Sequence, residues 1–188
     1  MNADKLVIGL TGMPGAGKTV FVDAAVAVGY VKVSMGDVIR EETRRRGLEL
    51  NPQNVGSVML DLRKTGGANV VAELCVPKIV GHVSDKIVID GLRSLSEVNV
   101  FKANFVGFKL VAVHAASEVR FERLSQRGRS DDPETFDVFF ERDMRELSVG
   151  LGNVIALSEH VLVNDSGIES FKTVVEKYLG QVEAKWKQ

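Results

Sequence analysis

The clearest chemical pattern in the sequence is the segment Gly12, Met13, Pro14, Gly15, Ala16, Gly17, Lys18 and Thr19, which matches G-x-x-x-x-G-K-[ST]. Its glycines allow the backbone to turn closely enough for N–H groups to surround phosphate oxygens. Lys18 supplies positive charge to the β- and γ-phosphates, and the Thr19 hydroxyl is a ligand for Mg²⁺. The segment therefore predicts a loop that binds ATP with Mg²⁺, with Lys18 in a catalytic role.

Two aspartates follow predicted strands. Asp90 closes a β-branched strand, where an acid can hold the water shell of Mg²⁺ opposite Thr19, although such a residue is also common in turns. The nearby phosphate loop favours a metal-binding and catalytic role for Asp90. Asp37 follows an earlier strand, and two alternatives stay open: it caps the next helix, or it reaches the acceptor or the metal.

Several arginines lie where they would reach a bound anion. Arg40 and Arg93 each follow one of these aspartates by three residues, just beyond a strand end. Arg123 and Arg127 share a helical face with Arg120, and Arg129 follows a flexible glycine. Guanidinium groups suit the several oxygens of a transferring phosphoryl group. The alternative for any single arginine is a solvated helix face, but the cluster around Gly128 favours function.

These residues require elements that bring them to one edge of a sheet. Apolar runs alternate with amphipathic stretches, which favours an α/β domain with a parallel sheet. Strands are predicted at 6–10, 30–34, 86–90, 108–114 and 160–164. Helices are predicted at 18–28, 36–46, 52–64, 69–82, 117–126, 133–147 and 168–187.

Residues 35–83 contain predicted helices and no strand, which is more chain than a crossover requires. We expect a helical insertion that binds the acceptor over the carboxyl edge of the sheet, where ligands bind in open α/β folds. The alternative is a helical layer that only covers the sheet.

Composition limits the remaining classes. A chain of 188 residues fits one domain, residues 1–188, and its net charge of −1 gives no indication of nucleic-acid binding. The single cysteine excludes an intramolecular disulfide and a four-cysteine zinc site. With no apolar run near about 20 residues and no secretory signal at residues 1–5, we expect a cytoplasmic protein without a membrane partner. The oligomeric state is not fixed by the sequence.

Three motifs follow the phosphate loop in the order found in adenylate kinase: residues 34–40, residues 90–93, and Arg129-Ser130-Asp131-Asp132. The chain as a whole resembles more closely an uncharacterised, mostly archaeal family of adenylate-kinase-like P-loop proteins, also likened to dephospho-CoA kinases. The resemblance covers nearly the whole chain. It implies a P-loop NTPase fold, with a five-stranded parallel sheet flanked by helices, a helical acceptor-binding insertion and a short arginine lid at residues 127–133.

By position, the resemblance implies that Arg40 and Arg93 bind the phosphate of the acceptor. Arg123 would lie against the ATP base, while Arg127 and Arg129 would approach the transferring phosphoryl group. The sequence departs from adenylate kinase in two places. The segment Asp-Gly-Phe-Pro-Arg lacks its proline here, and the long lid insertion is absent.

The combined interpretation is ATP-dependent, in-line phosphoryl transfer to a small phosphorylated acceptor, with a nucleoside monophosphate as the first candidate. Dephospho-CoA is the close alternative, with Asp37 as the base for a ribose hydroxyl. The alternative from another class is a regulatory or RNA-associated ATPase or nucleotide switch. A guanine-specific GTPase is disfavoured because residues 163–166 lack the lysine of Asn-Lys-x-Asp.

Overall fold

A parallel sheet of five strands forms the centre of the structure, a computed structural model that describes residues 3–129 and 132–187, apart from the side chains of Ala3 and Pro52. Its strands are β1 (Ala3–Thr11), β2 (Val31–Ser34), β3 (Lys86–Asp90), β4 (Phe105–His114) and β5 (His160–Val163). The strand order is β2-β3-β1-β4-β5, so β1 is central. The predicted fold, a five-stranded parallel sheet flanked by helices, is confirmed.

The central strand is apolar on both faces because helices cover both sides of the sheet. Leu6 and Ile8 of β1 face one core, which contains Phe21 and Phe171, and Val7 faces the other, which contains Phe101. In the register, Leu10 of β1 lies beside Asp90 of β3, and Thr11 lies beside Ala112 of β4. The loop after β1 therefore leaves the middle of the sheet at its carboxyl edge.

The helices are α1 (Lys18–Ala27), α2 (Met35–Arg45), α3 (Pro52–Gly66), α4 (Val70–Val80), α5 (Leu95–Asn104), α6 (Ser117–Arg127), α7 (Phe136–Ser148), α8 (Leu151–Ala156) and α9 (Ile168–Trp186). The sequence predictions include all of them except α5 and α8. They also begin α7 too early, at position 133, because the side chain of Thr135 caps the helix by accepting from the Val138 N–H. Strand β4 begins at Phe105 rather than at the predicted position 108.

Helices α2, α3 and α4 pack against one another between β2 and β3, in the region predicted as an insertion. Apolar residues of these helices, including Ile39, Val58 and Cys75, join the core on one face of the sheet. The helical character of residues 35–83 is thus as predicted, while its acceptor-binding role stays a prediction. None of the helices within residues 3–129 and 132–187 is long and apolar enough to cross a membrane.

Candidate active site

A cavity of about 630 Å³ opens at the carboxyl edge of the sheet. The central position of β1 divides its walls into two groups, which we call the β3 side and the β4 side. The β3 side consists of residues after β2 and β3 and residues of α2, α3 and α4, and the β4 side consists of residues after β4 and β5. The loop after β1, residues 12–19, lies between them.

The loop has the backbone that the motif predicts. Gly12 and Gly17 have φ angles of 143° and 104°, a region that favours glycine. A Cβ atom at Gly12 would lie 2.3 Å from the Val113 carbonyl oxygen, and one at Gly17 would lie 2.1 Å from the Asn164 Nδ2 atom. Helix α1 begins at Lys18, so its positive end points at the cavity.

Six residues of the loop line the cavity: Gly12, Pro14, Gly15, Gly17, Lys18 and Thr19. The two other predicted nucleotide-binding residues of the loop, Met13 and Ala16, are not among its described lining residues. Ala16 is buried in the core, and Met13 contributes its backbone carbonyl to the contacts of Lys18.

Lys18 donates hydrogen bonds from Nζ to the carbonyl oxygens of Gly12 at 2.6 Å and Met13 at 3.1 Å. Burial lowers the pKa of Lys18 to about 8, and the negative charge of Asp90 opposes this shift. The positive charge of Arg93 lowers the pKa further. The ammonium is therefore held inside the loop in a poorly solvated position, where a phosphate oxygen would be a strong partner.

Arg120 on α6 supports the loop from the β4 side. Its guanidinium is buried and pairs with both carboxylate oxygens of Asp143 at 2.9 and 2.5 Å. It also donates to the Pro14 carbonyl at 3.1 Å and lies 4.9 Å from the centroid of the Phe139 ring. Arg123 and Arg127 of the same helix are among the described residues that line the cavity, whereas Arg120 is not. Arg120 thus positions the loop.

Asn164, directly after β5, is a second support that the sequence reasoning misses. Its buried Nδ2 donates to the Ala16 carbonyl at 2.8 Å, and its backbone N–H donates to His114 at 2.7 Å. Arg123 contacts the Asn164 Oδ1 at 3.5 Å and the Ser166 carbonyl at 3.3 Å. The hydrogen bond to Ala16 and the close approach to Gly17 both join residues far apart in the sequence, so no local sequence signal reveals this role.

Thr19, in the first turn of α1, and Asp90, the last residue of β3, both line the cavity. Within the described residues, neither side chain makes a hydrogen bond or ion pair, and no cluster of three His, Cys, Asp or Glu residues could hold a metal. A hydroxyl and one carboxylate fit Mg²⁺, which keeps several waters and binds through few carboxylates plus phosphates. The two residues are therefore suited to hold Mg²⁺ with a nucleotide.

The segment after β3 is tied to β1. The buried hydroxyl of Thr11 donates to the Leu92 carbonyl at 3.0 Å, which fixes Asp90 and Arg93 relative to the loop. Arg93 lines the cavity, and its Nε lies 3.5 Å from the Glu146 carboxylate of α7. Sequence reasoning does not identify Thr11, since it precedes the motif.

Arg40 also lines the cavity and donates to the Asp37 carboxylate at 2.5 Å, with both side chains largely exposed. Asp37 itself is not among the described lining residues. It does not cap α2 either, since the N-cap position belongs to Ser34. In this structure Asp37 is the partner of Arg40.

The predicted lid is described except for Ser130 and Asp131. Arg127 donates to both carboxylate oxygens of Asp132, and the backbone N–H of Arg129 donates to the same carboxylate at 2.8 Å. Arg142 of α7 lies 3.9 Å from it. The hydrogen bonds from Arg127 hold the pKa of Asp132 below its usual range. Arg127 and Arg129 both line the cavity, and their roles at the transferring phosphoryl group stay predictions.

Arg63 and Glu97 line the β3 side and are absent from the sequence predictions. Arg63 on α3 places Nη2 at 3.4 Å from the buried Glu97 carboxylate at the start of α5. The spacing of Ser94 and Glu97 is that of a capping box, a signal that predicts a helix start here. Nothing in the sequence shows that Arg63 reaches this carboxylate from another helix.

Comparisons with known proteins agree with this geometry. The family model described as an AAA domain matches residues 11–138. A UPF0200 protein of Thermococcus gammatolerans is 46% identical over 182 residues, which cover 93% of this chain and 96% of that protein. A UPF0200 protein of Methanocaldococcus jannaschii is 42% identical over 179 residues, which cover 94% of this chain and 90% of that protein.

Among solved structures, a shikimate kinase of Bacteroides thetaiotaomicron superposes with a TM-score of 0.57 at 16% identity, covering 93% of this chain and 98% of that one. A sugar kinase of a Janibacter species gives 0.59 at 15% identity, covering 94% and 95%. At these identities the likeness shows the fold alone, which this chain shares with those kinases. The chain belongs to the UPF0200 family of mostly archaeal proteins, with an AAA-type, P-loop kinase-like domain.

Proposed function

We propose that this protein transfers the γ-phosphoryl group of ATP to a small phosphorylated acceptor, and that the acceptor is a nucleoside monophosphate. One observation carries the proposal. A single cavity joins the phosphate-binding loop to arginines on both of its sides, so two phosphorylated ligands can meet at Lys18.

The donor nucleotide belongs to the loop and the β4 side. The loop N–H groups and the α1 terminus would hold the phosphates, and Arg123 and Ile168 would lie beside the base. Mg²⁺, held by Thr19 and Asp90, would neutralise charge on the β- and γ-phosphates when bound.

The acceptor belongs to the β3 side. Arg40 and Arg93 line this side, and guanidinium groups there suit the acceptor phosphate. Apolar side chains form much of the remaining wall: Met35, Ile39, Met59, Val71 and Leu92. Such a wall fits the flat apolar faces of a base better than a ring that carries many hydroxyl groups.

Transfer in this site requires no protein nucleophile. An oxygen of the acceptor phosphate would attack the γ-phosphorus, and the bond to the β,γ-bridging oxygen would break, leaving ADP. Lys18 would stabilise the negative charge of the phosphoryl group during transfer, and Arg127 and Arg129 would neutralise the same charge from the lid. The alternative acceptor, dephospho-CoA, calls for a base at Asp37, but Asp37 is not among the described lining residues and its carboxylate is paired with Arg40.

The test is to incubate the protein with Mg-ATP and one acceptor at a time: AMP, GMP, CMP, UMP or dephospho-CoA, with direct detection of phosphorylated products. We expect one nucleoside monophosphate to be phosphorylated, and Lys18→Ala to reduce the rate by about a hundredfold or more. Lys172→Ala, which removes an exposed lysine of α9, is the matched control and should leave the rate unchanged.

ATP hydrolysis without phosphorylation of any acceptor would contradict the proposal and favour a regulatory or RNA-associated ATPase. Phosphorylation of dephospho-CoA alone would support the phosphotransferase and replace the acceptor.

A further inference from the structure

We propose that Arg63 and Glu97 bind the edge of the acceptor's base and thereby select the acceptor. The inference rests on the proposed function, because it assigns the base-binding end of the same acceptor site. Neither residue belongs to the phosphate loop or to the arginines of the predicted motifs.

Glu97 is fixed by the backbone whether or not a ligand is present. Its side chain is 2% exposed, and Oε2 accepts hydrogen bonds from the N–H groups of Arg93 at 2.8 Å and Ser94 at 3.2 Å. Among the residues that the structure describes, Oε1 has only the long contact to Arg63. One carboxylate oxygen is therefore held in place by two backbone N–H groups, the other is only weakly paired, and Glu97 lines the cavity.

Arg63 is only partly satisfied. Its contact to Glu97 is long, at 3.4 Å, and its buried Nε has no hydrogen-bond partner within the described residues. A buried donor without a hydrogen-bond partner is unfavourable. A ligand atom that accepts a hydrogen bond from Nε would remove this cost, so the free protein favours such a ligand.

The charges at this place favour a base over a phosphate. The two residues share the β3 side with the apolar side chains of Met59 and Leu92. The side chain of Arg93 is paired with Glu146 instead. A phosphate beside Glu97 would be repelled by a buried like charge. The edge of a nucleobase instead offers an N–H donor for Oε1 next to an acceptor atom for Arg63.

The experiment separates the base from the phosphate by comparing ligands that carry a base with one that lacks it. Binding of the four nucleoside monophosphates and of ribose 5-phosphate, which lacks the base, is measured by calorimetry, alongside the transfer assay. The variants are Arg63→Met, which removes the donors, and Arg63→Lys, which keeps a positive charge opposite Glu97 and so protects the fold. Lys64→Met changes the exposed neighbour on α3 and is the matched control.

We expect both Arg63 variants to weaken binding of the preferred monophosphate by about ten- to a hundredfold, as for loss of a hydrogen bond from a charged donor. Ribose 5-phosphate binding, the KM for ATP and the melting temperature of Arg63→Lys should not change. In the transfer assay the KM for the acceptor should rise more than kcat falls.

An equal loss for ribose 5-phosphate would show that Arg63 binds the phosphate, and no loss for either ligand would show that the ion pair only supports α5. Either result overturns the inference. Base-dependent binding that needs Arg63, without any transfer by the wild-type protein, would overturn the proposed function and leave this inference standing. Absence of monophosphate binding to the wild-type protein would overturn both.

Discussion

The two sides of the cavity are built differently. On the β4 side, the loop is supported by buried side chains that donate to its backbone: Arg120 to Pro14 and Asn164 to Ala16. On the β3 side, the arginines are more exposed and contact carboxylates: Arg40 with Asp37, Arg93 with Glu146 and Arg63 with Glu97. The β4 side is therefore held in one conformation without a ligand. On the β3 side, a ligand would replace the carboxylate partners of the arginines.

This difference separates stability from binding. Buried contacts to a backbone stabilise the fold, since a lost partner leaves an unsatisfied group in the interior. Exposed ion pairs contribute little to stability, because water and salt weaken them. Substitutions of the buried supports Arg120 and Asn164 should therefore reduce stability first, and substitutions of the β3-side arginines should reduce acceptor binding first.

The largest effect on stability is expected for Arg120→Met. It leaves Asp143 buried without its partner, and breaking such a pair costs about 3–5 kcal/mol in the free energy of unfolding. Urea unfolding followed by circular dichroism measures this loss. Arg120→Met combined with Asp143→Leu should recover most of it, because two apolar residues replace the whole pair.

The control for Arg120 is Arg45→Met, since Arg45 also pairs with a carboxylate, that of Glu42, but on the surface. We expect an unchanged unfolding midpoint for Arg45→Met. Equal losses at Arg120 and Arg45 would contradict the distinction between buried supports and exposed pairs.

Gly17→Ala is expected to have the next largest effect. The new Cβ would lie 2.1 Å from the Asn164 Nδ2 atom at a φ of 104°, so the loop or Asn164 must move. We expect a loss of about 1–3 kcal/mol in stability, as for other overpacked sites, together with loss of ATP binding measured by calorimetry.

Gly180→Ala in the middle of α9 is the matched control. A Cβ there meets nothing within 4 Å, and alanine favours a helix, so stability should be unchanged or slightly higher. If Gly17→Ala still bound ATP with normal affinity, the close contact between the loop and Asn164 would not be required for ATP binding.

Arg40→Met tests the β3 side. Its exposed pair with Asp37 contributes about 0–1 kcal/mol, so unfolding should hardly change. The KM for the acceptor should rise by about tenfold or more, because a charged hydrogen bond to phosphate is lost, while the KM for ATP stays the same. A matching rise in the KM for ATP would mean that Arg40 serves both ligands and that the two sides are not separate.

The smallest effect is expected from pH. The lowered pKa of Lys18, about 8, means that the free protein loses the ammonium proton as the pH rises from 7 to 9. Binding of a phosphate favours the charged form, so the affinity for ATP should fall by about tenfold at pH 9. Lys18→Arg stays charged in this range and should show no such fall.

The lowered pKa of Lys18 makes the stability of the free protein change with pH in the opposite direction to its ATP affinity. The folded pKa of Lys18 lies below its ordinary value of 10.5, so the unfolded chain binds more protons between pH 8 and that value. The contribution of Lys18 to the free energy of unfolding therefore increases with pH across this window. A pH-independent ATP affinity would contradict the assignment of the ammonium to the phosphates.

The sequence predicts the loop and the sheet well because both are local. The motif of residues 12–19 lies in one short segment, and most of the strands are short runs rich in apolar residues. Helix α5 is missed although its capping box at Ser94 and Glu97 is visible in the sequence, because its weak amphipathic pattern gives little periodic signal.

The supporting residues could not be predicted, for a physical reason. Asn164 and Ala16 are separated by 148 positions, and Arg63 and Glu97 by 34, so only packing brings each pair together. Residue types alone do not distinguish a buried support such as Arg120 from a cavity-lining neighbour such as Arg123. That distinction depends on which face of α6 meets α7.

The capping box at the start of α5 has a consequence for how this family can change over time. Glu97 caps the helix that carries Val98 and Phe101 into the core, so its replacement would fray the helix and loosen the core together. Position 97 is therefore expected to tolerate little variation among descendants of one ancestor. A new acceptor preference would arise more easily at position 63, where a side chain can be exchanged while the helix start is kept.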